Sequence, residues 1–278
     1  IGIGVQGLAN VFEQLWIGYQ SEEAQLLNKE IFAHMYYYAL EKSVELAKID
    51  GPYSTFQGSP ASKGELQYHM WGVEPFEADG LDWNWIEQQV QTHGLRNSTL
   101  IALMPTATTA QILGSNSSFE AFTTNMYTRS TIAGEFIVTN LLINILIDLD
   151  LWDYTMKQRI MHHRGQITNI AGIPQIVKDI YKTSWEMSNK AMIDMTADRG
   201  AYICQTQSFN TFEADPSFKK LTQIHFYGWK RGLKTGMYYL RTKPASNAQS
   251  FTVDPLMVEM FENEKDTRMD EDCLMCGS

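Results

Sequence analysis

Two adjacent tyrosines, Tyr238 and Tyr239, lie shortly before Pro244 and follow a long stretch with aromatic, helical patterning. Tyrosine suits β-strands, and neighbouring strand residues point to opposite faces, so ordinary packing would place one phenol in the core and the other outside. The alternative is chemical, because paired phenols that lose an electron and a proton together can carry a radical between distant sites. Residue types alone favour ordinary packing, so the rest of the chain has to decide.

A group of threonine hydroxyls follows an apolar run at 99–105, which predicts a buried strand leading into a short helix. The amino end of a helix offers unpaired N–H groups and a positive dipole end, and Thr106, Thr108 and Thr109 add hydroxyl donors. This chemistry suits a phosphate or diphosphate. A threonine-capped helix with nothing bound fits the spacing equally well, and the sequence has no Gly-rich Walker loop.

The two thiols of Cys273 and Cys276 have Cys-x-x-Cys spacing beyond an acidic segment that starts near Glu259. Such thiols can close a disulfide and reopen it by exchange, and the acidic segment predicts a mobile tether. A zinc site would need two more ligands, which the segment does not offer. Three cysteines in 278 residues do not form an extracellular disulfide framework, so a reducing cytoplasm is expected.

Other polar and aromatic residues are predicted to be structural. They are His162 and His163 as a solvated helix end, Cys204 as a small buried strand residue, Asp194, Asp198 and Arg199 as helix-end charges, and Tyr36, Tyr37 and Tyr38 as core packing.

The elements that position these residues form an α/β pattern. Helices are predicted from Ser21 to Gly51, over 83–92 with Asp82 as its cap, and over 154–163. One or two more are predicted from Pro174 to about Asp198. A strand at 201–207, a helix at 217–234 and a strand at 237–242 predict a βαβ unit.

Composition narrows the function classes. The net charge of −10 and the lack of a Lys/Arg cluster argue against a nucleic-acid surface, so any bound nucleotide is expected to be a small one. The apolar run near 141–151 carries polar residues and is too short to span a bilayer, and no signal peptide is recognisable. The start at Ile1, inside a strand-like stretch, predicts a partner segment upstream.

Four motifs together resemble a known family. They are Gly-Ile-Gly-Val-Gln-Gly-Leu-Ala at 2–9, Pro-Thr-Ala-Thr-Thr-Ala-Gln-Ile-Leu-Gly at 105–114, the stretch 225–243 with the tyrosine pair, and the terminal Cys-Leu-Met-Cys-Gly-Ser. The chain resembles, over essentially its whole length, the large catalytic subunit of class I ribonucleoside-diphosphate reductase of the eukaryotic or viral type.

The resemblance implies a role for each motif. Thr106, Ala107, Thr108 and Thr109 match the loop that holds the substrate diphosphate. Tyr238 and Tyr239 match the pair that relays a radical from the small subunit toward the active-site cysteine. Cys273 and Cys276 match the tail thiols that re-reduce the active-site disulfide and are themselves reduced by thioredoxin or glutaredoxin.

The implied fold is the C-terminal half of a ten-stranded α/β barrel with many helices over 1–258, followed by a disordered acidic tail at 259–278. The family's thiyl-forming cysteine, its disulfide cysteines, and its Asn and Glu at the ribose lie upstream of Ile1, as do the ATP and dNTP effector sites. No cofactor or metal is expected in this chain, since the family's di-metal tyrosyl radical resides in the small subunit.

The resemblance therefore implies a part of an enzyme that reduces ribonucleoside 5′-diphosphates to deoxyribonucleotides by thiyl-radical chemistry. Its expected partners are the N-terminal portion of the large subunit, the small subunit and a thioredoxin or glutaredoxin, and it is expected to be inactive alone. Two alternatives remain: a non-catalytic remnant that binds the small subunit or a thioredoxin-like reductase, and a stand-alone thiol-disulfide protein.

Overall fold

The computed structural model of the chain describes residues 1–132, 134–242, 254, 257–258 and 260–261. The chain divides into two compact units, one of 1–121 with 187–243 and the other of 122–186 with 244–278. The first unit holds both the threonine segment and the tyrosine pair.

Most of the first unit is helical. Its helices are α1 (Leu8–Gln14), α2 (Glu22–Asp50), α3 (Gln67–Met70), α4 (Trp83–His93), α5 (Ala107–Leu113), α9 (Asn189–Gly200) and α10 (Phe218–Lys230), with a 3-10 turn at Ala61–Lys63. The second unit contributes α6 (Leu142–Asp148), α7 (Tyr154–His162) and α8 (Gln175–Ile180).

Helix α2 is the long scaffold that the sequence predicted. The Ser21 hydroxyl accepts a hydrogen bond from the Ala24 N–H at 3.1 Å, and two glutamates in the first turn complement the helix dipole. The helix ends at Gly51, whose φ of 78° suits glycine. Its buried face packs against α4 and α9, so α2 forms the centre of this unit.

The predicted βαβ unit is present, but its first strand was placed wrongly. Strand β3 (Asn210–Phe212) leads through α10 to β4 (Tyr239–Arg241), and the two strands pair in parallel. The predicted strand at 201–207 is instead an irregular segment, since the N–H groups of Cys204 and Gln205 both donate to the carbonyl of Ile101. Two consecutive donors on one acceptor break the alternation that a strand ladder needs.

The apolar run at 99–105 was predicted to be a buried strand; Leu100, Ile101 and Leu103 are buried, but Met104 and Pro105 are exposed. The run forms only single parallel bridges, Ile3 with Ile101 and Leu103 with Gln207. Gly4 explains how closely the first residues approach this run. A Cβ on Gly4 would come within 2.8 Å of the carbonyl oxygen of Ala102. The glycine is therefore required by a backbone contact.

The second unit has its own core and a hairpin. Strands β1 (Met126–Thr131) and β2 (Gly134–Thr139) are antiparallel, with Met126 opposite Thr139. Below them, α6, α7 and α8 bury a cluster of mainly aliphatic side chains. The buried amide of Asn125 donates to the carbonyls of Gly165 (2.9 Å) and Tyr181 (2.7 Å) and ties the loops of this unit together.

Arg199 lies in the last turn of α9, as expected of a helix-end charge, but its side chain is buried. It is 1% exposed, and its guanidinium donates to Gln207 (2.7 Å), Asn28 (3.1 Å) and Thr196 (2.9 Å). The guanidinium carbon lies 4.0 Å from the centre of the Phe119 ring. A helix-end position in the sequence does not reveal that three other segments close over it.

Three of the other structural predictions have a mixed outcome. Tyr36 and Tyr37 are buried, as predicted, but Tyr38 is 48% exposed. Cys204 is half-buried and accepts a hydrogen bond from the Leu100 N–H, outside any strand. His162 and His163 lie at the carboxyl end of α7, and both are half-buried.

Candidate functional site

Tyr238 and Tyr239 are both at the surface, and their rings touch. The side chains are 54% and 50% exposed, and their ring centroids lie 4.4 Å apart at an interplanar angle of 64°. Simple strand alternation would have separated them, but Tyr238 comes before β4 begins, so its backbone is not bound to that alternation. The two phenols therefore form a contact pair.

Electrostatics distinguish the two phenols. A hydrogen bond with Tyr239 raises the pKa of Tyr238, so Tyr238 holds its proton more firmly than an isolated phenol. The guanidinium of Arg241 lies over the ring of Tyr239, 4.9 Å from its centre. A cation on the ring face stabilises the electron-rich reduced ring.

The backbone holds the pair on the edge of β3. The Tyr238 N–H donates to the carbonyl of Phe209 at 2.6 Å, and Tyr239 pairs with Asn210 in the parallel register. The Thr211 hydroxyl contacts the sulfur of Met237 at 3.1 Å. Three residues of pairing fix the position of the phenols, so small changes in β3 reach them directly.

The threonine segment lies at the start of α5 with its backbone donors accessible. Thr106 is the residue before the helix, and its hydroxyl accepts from the Ser118 N–H at 2.7 Å rather than capping the first turn. Ala107, Thr108 and Thr109 are exposed, and the Thr109 hydroxyl donates to the Thr106 carbonyl at 3.3 Å. The first turn therefore has no side-chain cap within this fully described segment.

A short segment, 115–120, links the threonines to the tyrosine strand. In the middle of this segment, Ser117 and Ser118 contact the hydroxyl of Thr106. At its end, the carboxylate of Glu120 accepts a hydrogen bond from the side-chain amide of Asn210, the partner of Tyr239 in β3. The structure thus brings two of the three predicted motifs onto one connected framework.

The third predicted motif, Cys273 and Cys276, lies outside the described residues, as does most of the predicted tail. Of that tail, Met260 and Phe261 are helical and Phe261 is buried, with its ring 5.6 Å from that of His162. No group of three or more His, Cys, Asp or Glu side chains that could hold a metal lies in the described part of the chain. Nor does any helix there have the length and apolarity needed to cross a membrane.

A groove between α9 and α10 was not anticipated from the sequence. Its volume is about 510 Å³, and its apolar lining includes Ile193, Ile224 and Tyr227. Lys190, Lys220, Lys230 and Glu213 line it too. Lys190 pairs with Asp194 at 2.8 Å and Lys220 with Glu213 at 2.9 Å. The groove therefore combines an apolar floor with charged groups of both signs.

Sequence reasoning also missed Glu120, Asn210 and Arg241, which surround the tyrosine strand. Glu120 and Asn210 are 90 positions apart, and neither belongs to a local motif. The parallel strand pairing is the signal that could have identified Asn210, because it places Asn210 beside Tyr239.

Comparison with known proteins gives the class first. The family model of the ribonucleotide reductase barrel domain matches residues 1–239. A solved structure, the Actinobacillus ureae class Id ribonucleotide reductase alpha subunit, superposes with a TM-score of 0.67 at 25% identity, over 88% of this chain and 39% of that one. The chain is therefore a helix-rich α/β protein of the reductase barrel class.

The chain belongs to the ribonucleotide reductase family. It is 51% identical over 283 residues to the large subunit of ribonucleoside-diphosphate reductase from Caenorhabditis elegans and 47% identical over 299 residues to that from Arabidopsis thaliana. Both alignments cover all of this chain and 36% of the relative. The chain thus spans about a third of the length of these curated relatives.

Proposed function

We propose that the chain is the C-terminal part of the large subunit of a class I ribonucleotide reductase, which reduces ribonucleoside 5′-diphosphates to 2′-deoxyribonucleoside diphosphates by thiyl-radical chemistry. The observation that carries this proposal is the exposed contact pair of Tyr238 and Tyr239, 4.4 Å between ring centroids, in a chain of this family. The ring contact places the two phenols close enough for one to pass a radical to the other.

In the proposed relay, one phenol gives an electron and its hydroxyl proton to the incoming radical and becomes a tyrosyl radical. The neighbouring phenol then gives this radical one electron and one proton, so the first phenol is restored and the radical has moved by one residue. Ring contact between the phenols supports such a transfer.

The same proposal assigns the diphosphate to the start of α5. The uncapped first turn offers N–H donors, and the hydroxyls of Thr106, Thr108 and Thr109 surround it. The hydrogen bond from the Ser118 N–H holds the side chain of Thr106 beside this turn.

The remaining chemistry is assigned to other parts of the assembly. The active-site cysteines and the effector sites belong to the rest of a large subunit, and the di-metal tyrosyl radical belongs to the small subunit. Cys273 and Cys276 re-reduce the active-site disulfide and are reduced in turn by thioredoxin or glutaredoxin. The enzyme works in the cytoplasm, where reducing conditions keep these thiols open to exchange.

The groove between α9 and α10 is the proposed docking place for an extended segment of the small subunit. Its apolar floor would bury apolar side chains, and Lys230 would attract a carboxylate, whereas Lys190 and Lys220 already pair with Asp194 and Glu213. The occupant is therefore expected to carry apolar residues and a carboxylate that meets Lys230.

Reconstitution tests the proposal. The chain is mixed with a protein comprising the remainder of a large subunit, the small subunit, a ribonucleoside diphosphate and a reductant, and deoxynucleotide formation is measured. We expect product only when all the components are present. A mixture that gives no product while a full-length large subunit does so would contradict the proposal and favour a non-catalytic binding role.

A further inference from the structure

Glu120 is held rigidly at the end of the 115–120 segment. Its N–H donates to the carbonyl of Ser117 at 3.1 Å, and its own carbonyl accepts from the side-chain amide of Asn116 at 2.6 Å. The N–H of Asn116 is bound in turn by Asn10 at 2.7 Å. The carboxylate of Glu120 therefore projects from a fixed backbone.

That carboxylate sets the orientation of a buried amide. Asn210 is 8% exposed and donates its amide N–H to Glu120. An ionised carboxylate only accepts hydrogen bonds, so it turns the NH₂ group of Asn210 toward itself. A protonated carboxyl group can also donate, and it would then permit the opposite orientation of the amide.

Two routes lead from Glu120 to Tyr239. Asn210 is the direct partner of Tyr239 in the parallel pairing of β3 with β4. Glu120 also interacts electrostatically with Arg241, whose guanidinium lies over the Tyr239 ring. One route runs through the strand residue paired with Tyr239, and the other is the electrostatic attraction between Glu120 and the cation on the Tyr239 ring face.

We infer that Glu120 is a positioning residue for Tyr239, acting through the Asn210 amide and the Arg241 guanidinium. The inference rests on the proposed function, in which Tyr239 is a relay phenol, and it adds a residue that none of the sequence motifs contains. A phenol that must exchange an electron and a proton tolerates little displacement, because misplacement by about 1 Å can cost a reaction about a hundredfold.

The charged and titratable groups facing Glu120 come from three elements. They are Arg199 of α9, Arg241 of β4 and Tyr19 from the turn before α2. Burial raises the pKa of the Glu120 carboxyl, against the hydrogen bond from Asn210 and the two arginines, which lower it. The pKa of the Glu120 carboxyl should therefore be higher than that of an ordinary glutamate. Its protonation should change the environment of the Tyr239 ring.

The first test uses the 278-residue chain with 3-fluorotyrosine at position 239, observed by ¹⁹F NMR as the pH is lowered from 7 through the ordinary Glu pKa of about 4.3. We expect the resonance to shift with a midpoint above that value in the parent chain. Glu120→Gln should remove the shift. Glu45→Gln, which changes an exposed carboxylate paired with Lys42 on α2, should keep it. Circular dichroism over the same range confirms that the fold persists.

Asn210→Ala provides a second variant should Glu120→Gln fold poorly. It leaves the carboxylate in place and removes the amide route, so the amplitude of the shift should fall to about half or less, the Arg241 route remaining. The same pH-dependent shift in Glu120→Gln as in the parent, or an undiminished amplitude in Asn210→Ala, would overturn the inference.

The second test is kinetic, in the reconstituted enzyme. Glu120→Ala should lower kcat about tenfold or more while KM for the ribonucleoside diphosphate stays within about twofold. Glu120→Gln keeps an oxygen acceptor for Asn210 and should recover most of kcat. A raised KM with unchanged kcat contradicts the positioning role. Failure of every mixture to form product would overturn the proposed function but not the NMR result, which needs no activity.

Discussion

Lys234 is a largely buried cation that anchors the approach to the tyrosine pair. Its ammonium group donates to the carbonyl of Ile203 and to the side-chain oxygen of Gln67, the latter at 2.7 Å, and lies 5.2 Å from the centre of the Trp71 ring. Burial lowers the pKa of Lys234 to about 8. A carbonyl, an amide and a ring face thus replace the water that the charge would otherwise have.

This environment makes the stability of the chain depend on pH. An unfolded lysine titrates near 10.4, so between about pH 8 and that value the unfolded chain binds more protons than the folded chain. The free energy of unfolding should therefore gain a term that increases with pH over this window, and the cost of the buried charge is fully present below it.

Urea unfolding at several pH values between 7.5 and 10 measures that term. Below pH 8, Lys234→Met should have a higher free energy of unfolding than the parent. Above pH 8, its free energy of unfolding should not show the increase with pH that the parent shows. Lys219→Met, at an exposed position on α10, provides the control and should follow the parent. Equal pH slopes for the parent and Lys234→Met would show that the folded chain does not depress this pKa.

Arg199 shows how one side chain can hold several elements together. It lies on α9 and bonds to Asn28 of α2 and to Gln207 next to the Leu103 bridge. The Phe119 ring, in the segment that leads to Glu120, covers its guanidinium. The framework of the candidate site therefore depends on a buried arginine that belongs to neither motif.

Arg199→Met should destabilise the first unit by about 3 kcal/mol, because it leaves buried oxygens of Asn28, Thr196 and Gln207 without their donor, each costing about 1–3 kcal/mol before relaxation. Chemical denaturation gives the free energy. The control is Arg231→Met, which removes a partly exposed pairing with Asp194 and Asp198 and should cost no more than about 1 kcal/mol. Similar losses in both variants would contradict the role of Arg199.

Local signals in the sequence were enough to place most helices. Caps such as Ser21 and Ser217 and stops such as Gly51 act over one turn, and they located α2 and α10 closely. The short strands were harder, because β3 is stabilised by its partner β4 rather than by its own pattern. The apolar segment 201–207 looked more like a strand and is not one, since its burial comes from the packing around it.

The candidate site, too, could be predicted from the sequence only where its residues form a local motif. The threonine and tyrosine motifs are contiguous in sequence and could be identified there, although their surface exposure and ring contact could not. The Glu120 to Asn210 contact joins residues 90 positions apart, and the groove between α9 and α10 depends on how two helices pack. Such features arise from tertiary contacts that no local pattern encodes.

At the scale of the proposed assembly, docking of the small subunit in the groove between α9 and α10 predicts that the charge of Lys230 contributes to binding. Lys230→Glu should slow association with the small subunit and weaken its dependence on salt, because a charge at the edge of an interface acts mainly on the encounter rate. Stopped-flow binding measures both effects. Lys219→Glu makes the same charge change on the same helix outside the groove lining, so an equal effect there would rule out the groove as the docking place.

The proposed tail thiols can be separated from the barrel chemistry by the choice of reductant. The double variant Cys273→Ser/Cys276→Ser should lose sustained turnover driven by thioredoxin but retain turnover with dithiothreitol, a small dithiol that can reach an internal disulfide itself. Cys204→Ser should keep both activities. Full thioredoxin-driven turnover in the double variant would remove these cysteines from the cycle.

The most direct test of the account is removal of one hydroxyl from the exposed pair. In the reconstituted enzyme, Tyr238→Phe and Tyr239→Phe should each abolish deoxynucleotide formation and leave the Kd of the ribonucleoside diphosphate nearly unchanged, because only the oxidisable O–H is lost. Tyr154→Phe, at a position 57% exposed on α7, should remain active. Substantial turnover by either paired variant, or loss of substrate binding as large as the loss of turnover, would contradict the relay.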